Sequence, residues 1–265
     1  MKTSPRISIV TPSFNQGKFI ADAIESVLSQ DRADLEHIIV DNCSSDETSK
    51  VLARYPHLKV ICAKDRGQSD ALNNGFKAAT GDIIGWLNAD DKYLPGCLDA
   101  VVGSFFHHPE YDLVYGDYRF VDVNGDLIAV RKEIAFDLFL LKYLHWLTIP
   151  STTTFFKRKI FDEGHFLDIN YHYVMDYEFF MRIAGHRYKF GYIPRVMADF
   201  RRHAATKSRQ TALGKAEMEK ALLLHDPLIS GLQAPWRGWV RNSLMLMARA
   251  KRTFLKLLRG AYFIQ

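Results

Sequence analysis

The sequence predicts an α/β protein with a mainly parallel sheet that helices cover on both faces. Short β-branched runs alternate, through the first half of the chain, with segments whose apolar residues recur at spacings of three and four. Such alternation is typical of βαβ units, which hold ligands beyond the carboxyl ends of the strands. The predicted strands are 7–11, 37–40, 58–62, 83–87 and 113–115, and the predicted helices between them include 18–30 and 68–79.

The second half of the chain is less regular. The pair Asn124-Gly125 between apolar runs predicts a β-hairpin over 121–130. We expect a strand at 152–156, a helix at 175–184 and helical structure from residue 211 onward. The predicted organisation is one domain over 1–210, with halves at 1–118 and 119–210, followed by a helical extension over 211–265.

The composition is that of an ordinary globular protein. Of the 265 residues, 48% are hydrophobic and 25% are charged, which allows a sizeable core. No segment reaches the roughly 20 uninterrupted apolar residues of a membrane span, and the N-terminus lacks the apolar stretch of a secretory signal. The cysteines Cys43, Cys62 and Cys97 form neither a metal-binding spacing nor an even disulfide framework. We therefore expect a reducing, cytoplasmic location.

The net charge of +5 is concentrated at the C-terminal end. Residues 236–265 carry seven basic side chains and no acidic one, which leaves −2 for the remainder. On a helical wheel of residues 236–259, Trp236, Trp239 and other apolar residues lie on one side, and most basic residues lie on the other. This pattern fits a helix peripheral on an anionic membrane surface. It also fits a terminal helix that packs on its own domain with a solvated basic face. Nucleic-acid binding is disfavoured, because no RNA- or DNA-binding motif accompanies the charge.

Polar residues follow the predicted strands and outline one cleft. The first strand runs into residues 11–17, which match neither the glycine pattern of a dinucleotide fold nor a P-loop. Asn, Asp and Ser also cap helices in most βα turns, and this alternative is open for Ser44, Ser45 and Asp46. It is less favoured for Asp41, directly at a strand end. The polar segments after the next three strands are 41–46, 64–67 and 88–91.

Asn88, Asp90 and Asp91 crowd together at the end of the apolar run 83–87. Ionised carboxylates this close repel one another, and each raises the pKa of the other unless a cation lies between them. A cation at this strand end would relieve the repulsion. For Asp91 the favoured alternative is that it caps the helix expected around Pro95.

Some of these segments form an ordered set at characteristic separations. They are SIVTPSFNQGKFIADAIESVLSQ, HIIVDNCSSDET, DRGQSDALNNGFKAATGDIIGWLNADD and VMDYEFFMRIAG, within roughly residues 5–208. The set resembles the family 2 glycosyltransferases of the GT-A fold. The resemblance implies a nucleotide-diphospho-sugar donor bound by residues 1–118, a saccharide or lipid-linked saccharide acceptor bound by 119–210, and a divalent cation, Mn²⁺ or Mg²⁺. Such a cation offsets the charge that develops on the nucleoside diphosphate leaving group.

The resemblance also implies roles for residues of the first half. Asn88-Ala89-Asp90 takes the place of the family's Asp-x-Asp motif, which makes Asp90 the expected metal ligand and Asn88 a departure from the pattern. Asp41 would accept a hydrogen bond from the base imide, which favours uracil or thymine. The residues expected to bind the nucleotide sugar are Thr11, Pro12, Phe14, Asp41, Arg66, Asp70, Asn88 and Ala89.

A carboxylate opposite the leaving group is needed as a base for an in-line displacement with inversion. In a helix over 175–184, Asp176 shares a face with Phe179, Phe180 and Ile183, and Glu178 points away from that face. An Asp on an apolar helix face is costly unless it caps the helix or lines a cleft. The family match falls on Asp176, and the resemblance implies that it is the general base.

His203 occupies the place of a histidine that approaches the metal or diphosphate in many family members. Arg201, Arg202 and Lys207 surround it in the sequence. A lone histidine also serves structural roles, so both interpretations stand for His203. The resemblance implies that it is a second metal ligand.

These residues predict an inverting, metal-dependent glycosyltransferase of polysaccharide biosynthesis. Its donor is expected to be a UDP-linked sugar. A nucleotidyltransferase is an alternative, and it would release pyrophosphate rather than a nucleoside diphosphate. A catalytically degenerate binding subunit is a second alternative, for which Asn88 is the sequence feature in favour.

Overall fold

The computed structural model describes residues 5–144, 149–204, 206 and 211–261. A curled, mostly parallel sheet forms its centre, and helices flank both faces. The strands in the described ranges are β1 (Ile7–Ser13), β2 (Leu35–Asp41), β3 (Lys59–Cys62), β4 (Ile83–Trp86), β5 (Lys92–Tyr93), β6 (Leu113–Val121), β7 (Leu127–Arg131), β8 (Phe155–Lys157) and β9 (Phe190–Arg201).

The sheet confirms the α/β prediction. Its strand order is β3-β2-β1-β4-β8-β6-β9-β5, and β7 pairs with β6. The strands from β1 to β4 pair in parallel, as their alternation with helices predicts. Strand β8 then runs antiparallel to both β4 and β6, while β9 pairs in parallel with β6. The second half of the chain therefore extends the same sheet.

Helices connect the strands and continue beyond them. Apolar residues at spacings of three and four form the buried side of the early helices, as the sequence predicts. Ser151–Thr153 adds one turn of 3₁₀ helix. The described α-helices are α1 (Ile20–Leu28), α2 (Thr48–Leu52), α3 (Gln68–Ala78), α4 (Cys97–His107), α5 (Leu138–Tyr143), α6 (Lys159–Asp162), α7 (Met175–Gly185), α8 (Ala212–His225), α9 (Pro227–Ser230) and α10 (Ala234–Leu258).

Helix α3 lies unusually close to strand β1. A Cβ atom on Gly75 would stand 2.2 Å from Cγ1 of Val10, which is too short for any side chain. Glycine at this position therefore lets α3 pack directly on the sheet. The same packing places the first turn of α3 beside the carboxyl ends of β1 and β4.

Two predictions for the second half are borne out in different degrees. The hairpin is confirmed: β6 and β7 pair antiparallel across residues 122–126, and the Asp122 carboxylate accepts the N–H groups of Asn124 and Asp126. The predicted strand at 152–156 is only partly correct. Its first residues form the 3₁₀ turn Ser151–Thr153, and strand β8 begins at Phe155.

Helix α7 is buried on more sides than its sequence pattern predicts. Phe179, Phe180 and Ile183 lie in the core as expected. Glu178, expected to point away, is also buried, because it faces α8 and bonds with Arg182 and His225. Burial raises the pKa of Glu178, but these hydrogen bonds outweigh it and lower the pKa overall. The side of α7 that carries Glu178 is therefore covered by α8.

The C-terminal extension is helical, as predicted. Val240, Leu244, Ala248 and Leu255 of α10 pack against the main core cluster. Among the described residues, no helix combines the length and apolar character needed to cross a membrane.

His37 is a buried titratable group within the sheet. It lies on β2, and its Nε2 atom is 2.9 Å from the Thr11 hydroxyl. Burial lowers the pKa of His37 to about 3 from an ordinary value of 6.5. The folded protein therefore holds this imidazole neutral at pH values where the unfolded chain protonates it.

Stability should fall as the pH drops below the ordinary pKa of histidine. The contribution of His37 is complete above that value and is lost at about 1.4 kcal/mol for each pH unit below it. We expect denaturant unfolding between about pH 7 and pH 5 to show a shallower loss in His37→Gln than in the wild type. His108→Gln, at a site 51% exposed, is the matched control and should keep the wild-type slope. Equal slopes in the wild type and His37→Gln would contradict the buried neutral state.

Candidate active site

A cavity of about 360 Å³ lies over the carboxyl ends of β1 and β4. It is the place where the sequence analysis expects a cleft. Residues of the β1, β4 and β9 ends line it together with the first turn of α3. Of the predicted site residues, those that line this cavity are Pro12, Phe14, Asn88, Ala89, Asp90 and His203.

The end of β4 is organised around Asn88. Its Oδ1 atom accepts hydrogen bonds from the Trp86 indole N–H and the Gln68 amide, both at 2.9 Å. Its Nδ2 atom donates to Oδ2 of Asp91 at 3.0 Å. An aspartate at this position would lack a donor for Asp91 and would add a further carboxylate to the strand end. Asn88 therefore has a structural reason to depart from the family's Asp-x-Asp pattern.

Asp90 and His203 meet across the cavity from opposite parts of the chain. Nε2 of His203 lies 2.9 Å from Oδ2 of Asp90. The imidazole ring also packs on Phe19, with ring centroids 5.0 Å apart. Arg201, the last residue of β9, donates from Nε to the Asp90 carbonyl at 3.0 Å. The ends of β4 and β9 thus bring a carboxylate and an imidazole into contact, as the sequence analysis expects.

Asp91 lies beneath this pair and is 2% exposed. Its Oδ2 atom accepts the Thr152 hydroxyl at 2.7 Å, in addition to the Asn88 amide. Its Oδ1 atom accepts the backbone N–H of Arg201 at 2.9 Å. One carboxylate thereby ties together the β4 end, the 3₁₀ turn and the end of β9.

The prediction that Asp91 caps the following helix is wrong. Helix α4 begins at Cys97, and its N-cap residue is Gly96, without a side-chain cap. Burial, and then the neighbouring charge of Asp90, raise the pKa of Asp91 to about 8. Repulsion at this strand end is therefore already reduced by a proton on Asp91 and by the neutrality of Asn88.

Thr11 and Asp41 lie behind the cavity wall. Thr11 is fully buried and is bonded to His37. The buried Asp41 carboxylate accepts the backbone N–H and the hydroxyl of Ser44, at 2.8 and 2.6 Å. Asp41 thus shapes the loop after β2, and its neighbour Asn42 lines the cavity.

The loop after β2 also fixes the loop after β1. Ser44 accepts the backbone N–H of Asn15 at 2.8 Å, and Asp46 accepts that of Gly17 at 3.0 Å. Asp46 also accepts the N–H of Thr48, the first residue of α2. For Asp46 the helix-capping alternative is thus supported, with the added effect of holding the β1 loop.

Arg66 and Asp70 form an ion pair at the start of α3. Nε of Arg66 lies 3.0 Å from Oδ2 of Asp70, and this guanidinium holds the pKa of Asp70 below its usual range. Neither residue lines the cavity, but Asp65, Gly67 and Gln68 beside them do. The pair is therefore adjacent to the candidate donor site.

Asp176 lies in the first turn of α7 and is half-buried. Its Oδ1 atom accepts the N–H of Tyr177 at 2.8 Å. The preceding residue, Met175, contacts Ser69 of α3, with Oγ 2.9 Å from Sδ. Asp176 therefore stands close to the α3 turn that borders the cavity, although it does not line the cavity itself.

Glu217 of α8 is a functional candidate that the sequence analysis missed. Its buried carboxylate accepts the N–H groups of His172, Tyr173 and Val174, at 2.8 to 3.2 Å. These donors are the three residues before α7, and the last of them, Val174, is its N-cap residue. The segment that leads into α7 is thus held by a helix remote in sequence, which no local pattern encodes.

The described residues contain no cluster of three or more His, Cys, Asp or Glu side chains able to hold a metal. Asp90 and His203 supply two ligand groups that open onto a cavity. Such a pair fits a divalent cation held jointly with phosphate oxygens, since Mg²⁺ is usually bound by one or two carboxylates plus substrate phosphates. Lys207, predicted near His203, lies outside the described residues.

The chain is similar to known proteins in sequence and in fold. The sequence model of "Glycosyl transferase family 2" matches residues 8–176. Chondroitin synthase of Escherichia coli is 32% identical over 133 residues, which cover 49% of this chain and 19% of the synthase. The chain thus spans about a fifth of that relative's length.

Two solved structures share the fold. S. aureus TarS 1-349 in complex with UDP-GlcNAc aligns with a TM-score of 0.70 and 15% identity, over 98% of this chain and 76% of that chain. Mannosyltransferase PcManGT from Pyrobaculum calidifontis, in complex with GDP-Man and Mn²⁺, aligns with a TM-score of 0.63 and 18% identity. That alignment covers 100% of this chain and 77% of PcManGT.

Removal of the Asp91 carboxylate should destabilise the whole strand end. Asp91→Ala leaves the Thr152 hydroxyl, the Asn88 amide and the Arg201 N–H without their buried acceptor. We expect the free energy of unfolding to fall by about 1–3 kcal/mol, measured by urea denaturation. Asp99→Ala is the control, because its side chain is 72% exposed in a pair with Arg32 and should cost less than about 1 kcal/mol. Equal losses in both variants would contradict the role of Asp91.

Proposed function

Because the chain belongs to glycosyl transferase family 2, we propose that it transfers a sugar from a nucleotide-diphospho-sugar, UDP-linked, to a saccharide acceptor with inversion. The observation that carries the proposal is the contact between Asp90 and His203, 2.9 Å apart at the mouth of a cavity over the strand ends. A carboxylate and an imidazole in such a position suit the binding of a cation and a diphosphate.

We propose Mn²⁺ or Mg²⁺ as the cofactor, which Asp90 and His203 would hold together with the diphosphate. When bound, such an ion supplies Lewis-acid stabilisation of the departing diphosphate. Arg201 donates to the Asp90 carbonyl, and Asp91 accepts the Arg201 N–H. These hydrogen bonds fix the two strand ends from which the proposed ligands extend. The presence of Mn²⁺ in the PcManGT complex supports this choice of ion.

The cavity walls offer a site for the nucleotide and sugar. Pro12, Phe14, Asn88 and Ala89 line it, and the Phe14 ring is 55% exposed, so a base can stack on it. In this proposal Thr11 and Asp41 do not touch the base. They hold in place the residues that form the cavity wall next to it. The TarS complex with UDP-GlcNAc supports a uridine nucleotide.

The Arg66–Asp70 pair is proposed to serve the diphosphate. Arg66 is exposed at the start of α3, next to cavity residues Asp65 and Gly67. Its guanidinium can turn toward a phosphate, since an exposed ion pair is held only weakly. Asp70 would then keep the arginine near the site and would face the ribose or diphosphate side.

Asp176 is proposed as the general base that accepts the proton of the acceptor hydroxyl. Glu217 accepts the N–H groups of the three residues before α7 and thereby holds the segment that leads to Asp176. The contact of Met175 with Ser69 fixes this end of α7 against α3. Both observations support a role for Asp176 at the edge of the cleft.

The proposed setting is polysaccharide biosynthesis at the cytoplasmic face of the cell membrane, with a lipid-linked saccharide as the acceptor. Chondroitin synthase, which is similar over 133 residues, is named for the synthesis of a polysaccharide. A lipid-linked acceptor places the reaction at a membrane surface. The proposed membrane contact lies within residues 236–259.

The loss of Asp176 should slow transfer without weakening donor binding. We expect Asp176→Asn to lower kcat by about 10²- to 10⁴-fold, the usual contribution of a general base. Release of nucleoside diphosphate from a panel of UDP-sugars with Mn²⁺ measures the rate, and pyrophosphate instead would indicate a nucleotidyltransferase. Asp162→Asn, at a side chain 58% exposed, is the control. Full activity in Asp176→Asn would rule out this base.

The loss of either proposed ligand should weaken cation binding. We expect Asp90→Asn and His203→Gln each to reduce Mn²⁺ affinity by at least about tenfold, since even outer-shell changes have effects of that size. The measurement is the rise in unfolding temperature on titrating Mn²⁺ in the presence of UDP. His108→Gln should behave as wild type. An unchanged Mn²⁺ response in both ligand variants would overturn the metal site.

A further inference from the structure

Helix α10 presents an apolar surface away from the domain. Its members recur at spacings of 7, 11 and 18 residues, which return to nearly the same side of an α-helix. Their exposed fractions range from 46 to 70%. This surface, called the outer stripe below, consists of Trp236, Trp239, Leu246, Met247, Phe254, Leu257 and Leu258.

Several basic residues at the C-terminal end of the chain face the opposite way, toward the domain. Arg241 pairs with Glu219 at 3.1 Å, and Lys251 pairs with Asp137. An ordinary surface helix buries its apolar side and exposes its charges, whereas the domain side of α10 combines apolar and paired basic residues and a second apolar surface faces outward. This arrangement also corrects the expectation of a solvated basic face.

The pairs nearest the C-terminal end of α10 are buried. Lys256 lies 3.7 Å from Glu133, and Arg259 lies 2.7 Å from Asp117. Burial raises the pKa of Glu133 and lowers that of Lys256, so each depends on the other for its charge. If α10 rotated about its axis to bury the outer stripe, these buried charges would lose their partners. The ion pairs therefore hold the stripe outward.

We propose that the outer stripe binds an anionic lipid bilayer at the interface between headgroups and acyl chains. This inference rests on the proposed function, which places the reaction at a membrane surface. It adds which side of α10 contacts the membrane. An exposed surface made of seven large apolar side chains marks an interaction site. Two tryptophans at one end of the stripe match the interfacial preference of indole rings.

Charge favours a bilayer over a second copy of the chain. Residues 236–265 carry seven basic side chains and no acidic one, so a second copy of this helix offers no acidic group to pair with a basic one across the stripe. Arg249, which is exposed beside the stripe and follows Leu246 by one turn, is placed to meet a lipid phosphate. Anionic headgroups complement this charge, and the stripe enters the layer beneath them.

This arrangement makes apolar insertion the main source of binding. Four basic residues of the helix are already paired with the domain. Salt should therefore weaken vesicle binding only modestly, unlike the steep loss expected for a polybasic segment. The catalytic domain would lie on the water side, because it packs on the opposite face of α10.

The test uses the full chain and sedimentation with phosphatidylglycerol–phosphatidylcholine vesicles. The stripe variant carries Trp239→Ser, Leu246→Ser and Leu257→Ser. We expect its partition to fall by at least about tenfold, whereas about 0.5 M salt should lower wild-type binding less than about threefold. Thermal unfolding confirms that each variant is folded.

The matched control removes three exposed apolar residues elsewhere: Phe106→Ser, Leu127→Ser and Ile128→Ser, which are 51–73% exposed. It should bind vesicles as the wild type does. The proposal is overturned if the stripe variant binds equally well or if salt abolishes wild-type binding. It is also overturned if the wild type is a dimer that the stripe variant converts to a monomer.

The same variants separate this inference from the proposed function. With a soluble acceptor and no vesicles, release of nucleoside diphosphate should be equal in the wild type and the stripe variant. If no UDP-sugar is turned over by either, the proposed function fails, while vesicle sedimentation still decides the role of the outer stripe.

Discussion

The buried carboxylate of Asp91 holds together the elements that carry the candidate site. It accepts hydrogen bonds from Asn88 after β4, from Thr152 in the 3₁₀ turn and from the Arg201 backbone at the end of β9. These contacts join parts of the chain up to 110 residues apart. Asp90 and His203 extend from the same two strand ends, so their contact depends on this buried junction.

The electrostatics of the junction explain the crowded strand end. A buried acid needs either a proton or donors to be stable, and Asp91 has both a raised pKa and several donors. Asn88 adds no charge and connects Asp91 to Trp86 and Gln68. Crowding alone did not require a cation, and the case for one rests on the pairing of Asp90 with His203.

Helices α7 and α10 depend on charges supplied from outside their own sequence. Glu217 of α8 accepts the N–H groups of the segment that leads into α7, and Glu133 and Asp117 bind the basic side of α10. Each arrangement places a buried acid against donors remote in the chain. In α7 this supports the position of Asp176, and in α10 it turns the outer stripe toward solvent.

The alternation of strands and helices and the hairpin could be predicted from the sequence, because periodicity and turn chemistry are local. Asp90 and His203 were singled out as a pair by the resemblance to a family, since their contact joins distant parts of the chain. Tertiary structure decided that Asp91 anchors β9 instead of capping a helix, and that Thr11 and Asp41 lie behind the cavity wall. It also decided which side of α10 faces outward. A helical wheel separates two sides of a helix, but only the neighbouring elements determine which side they cover.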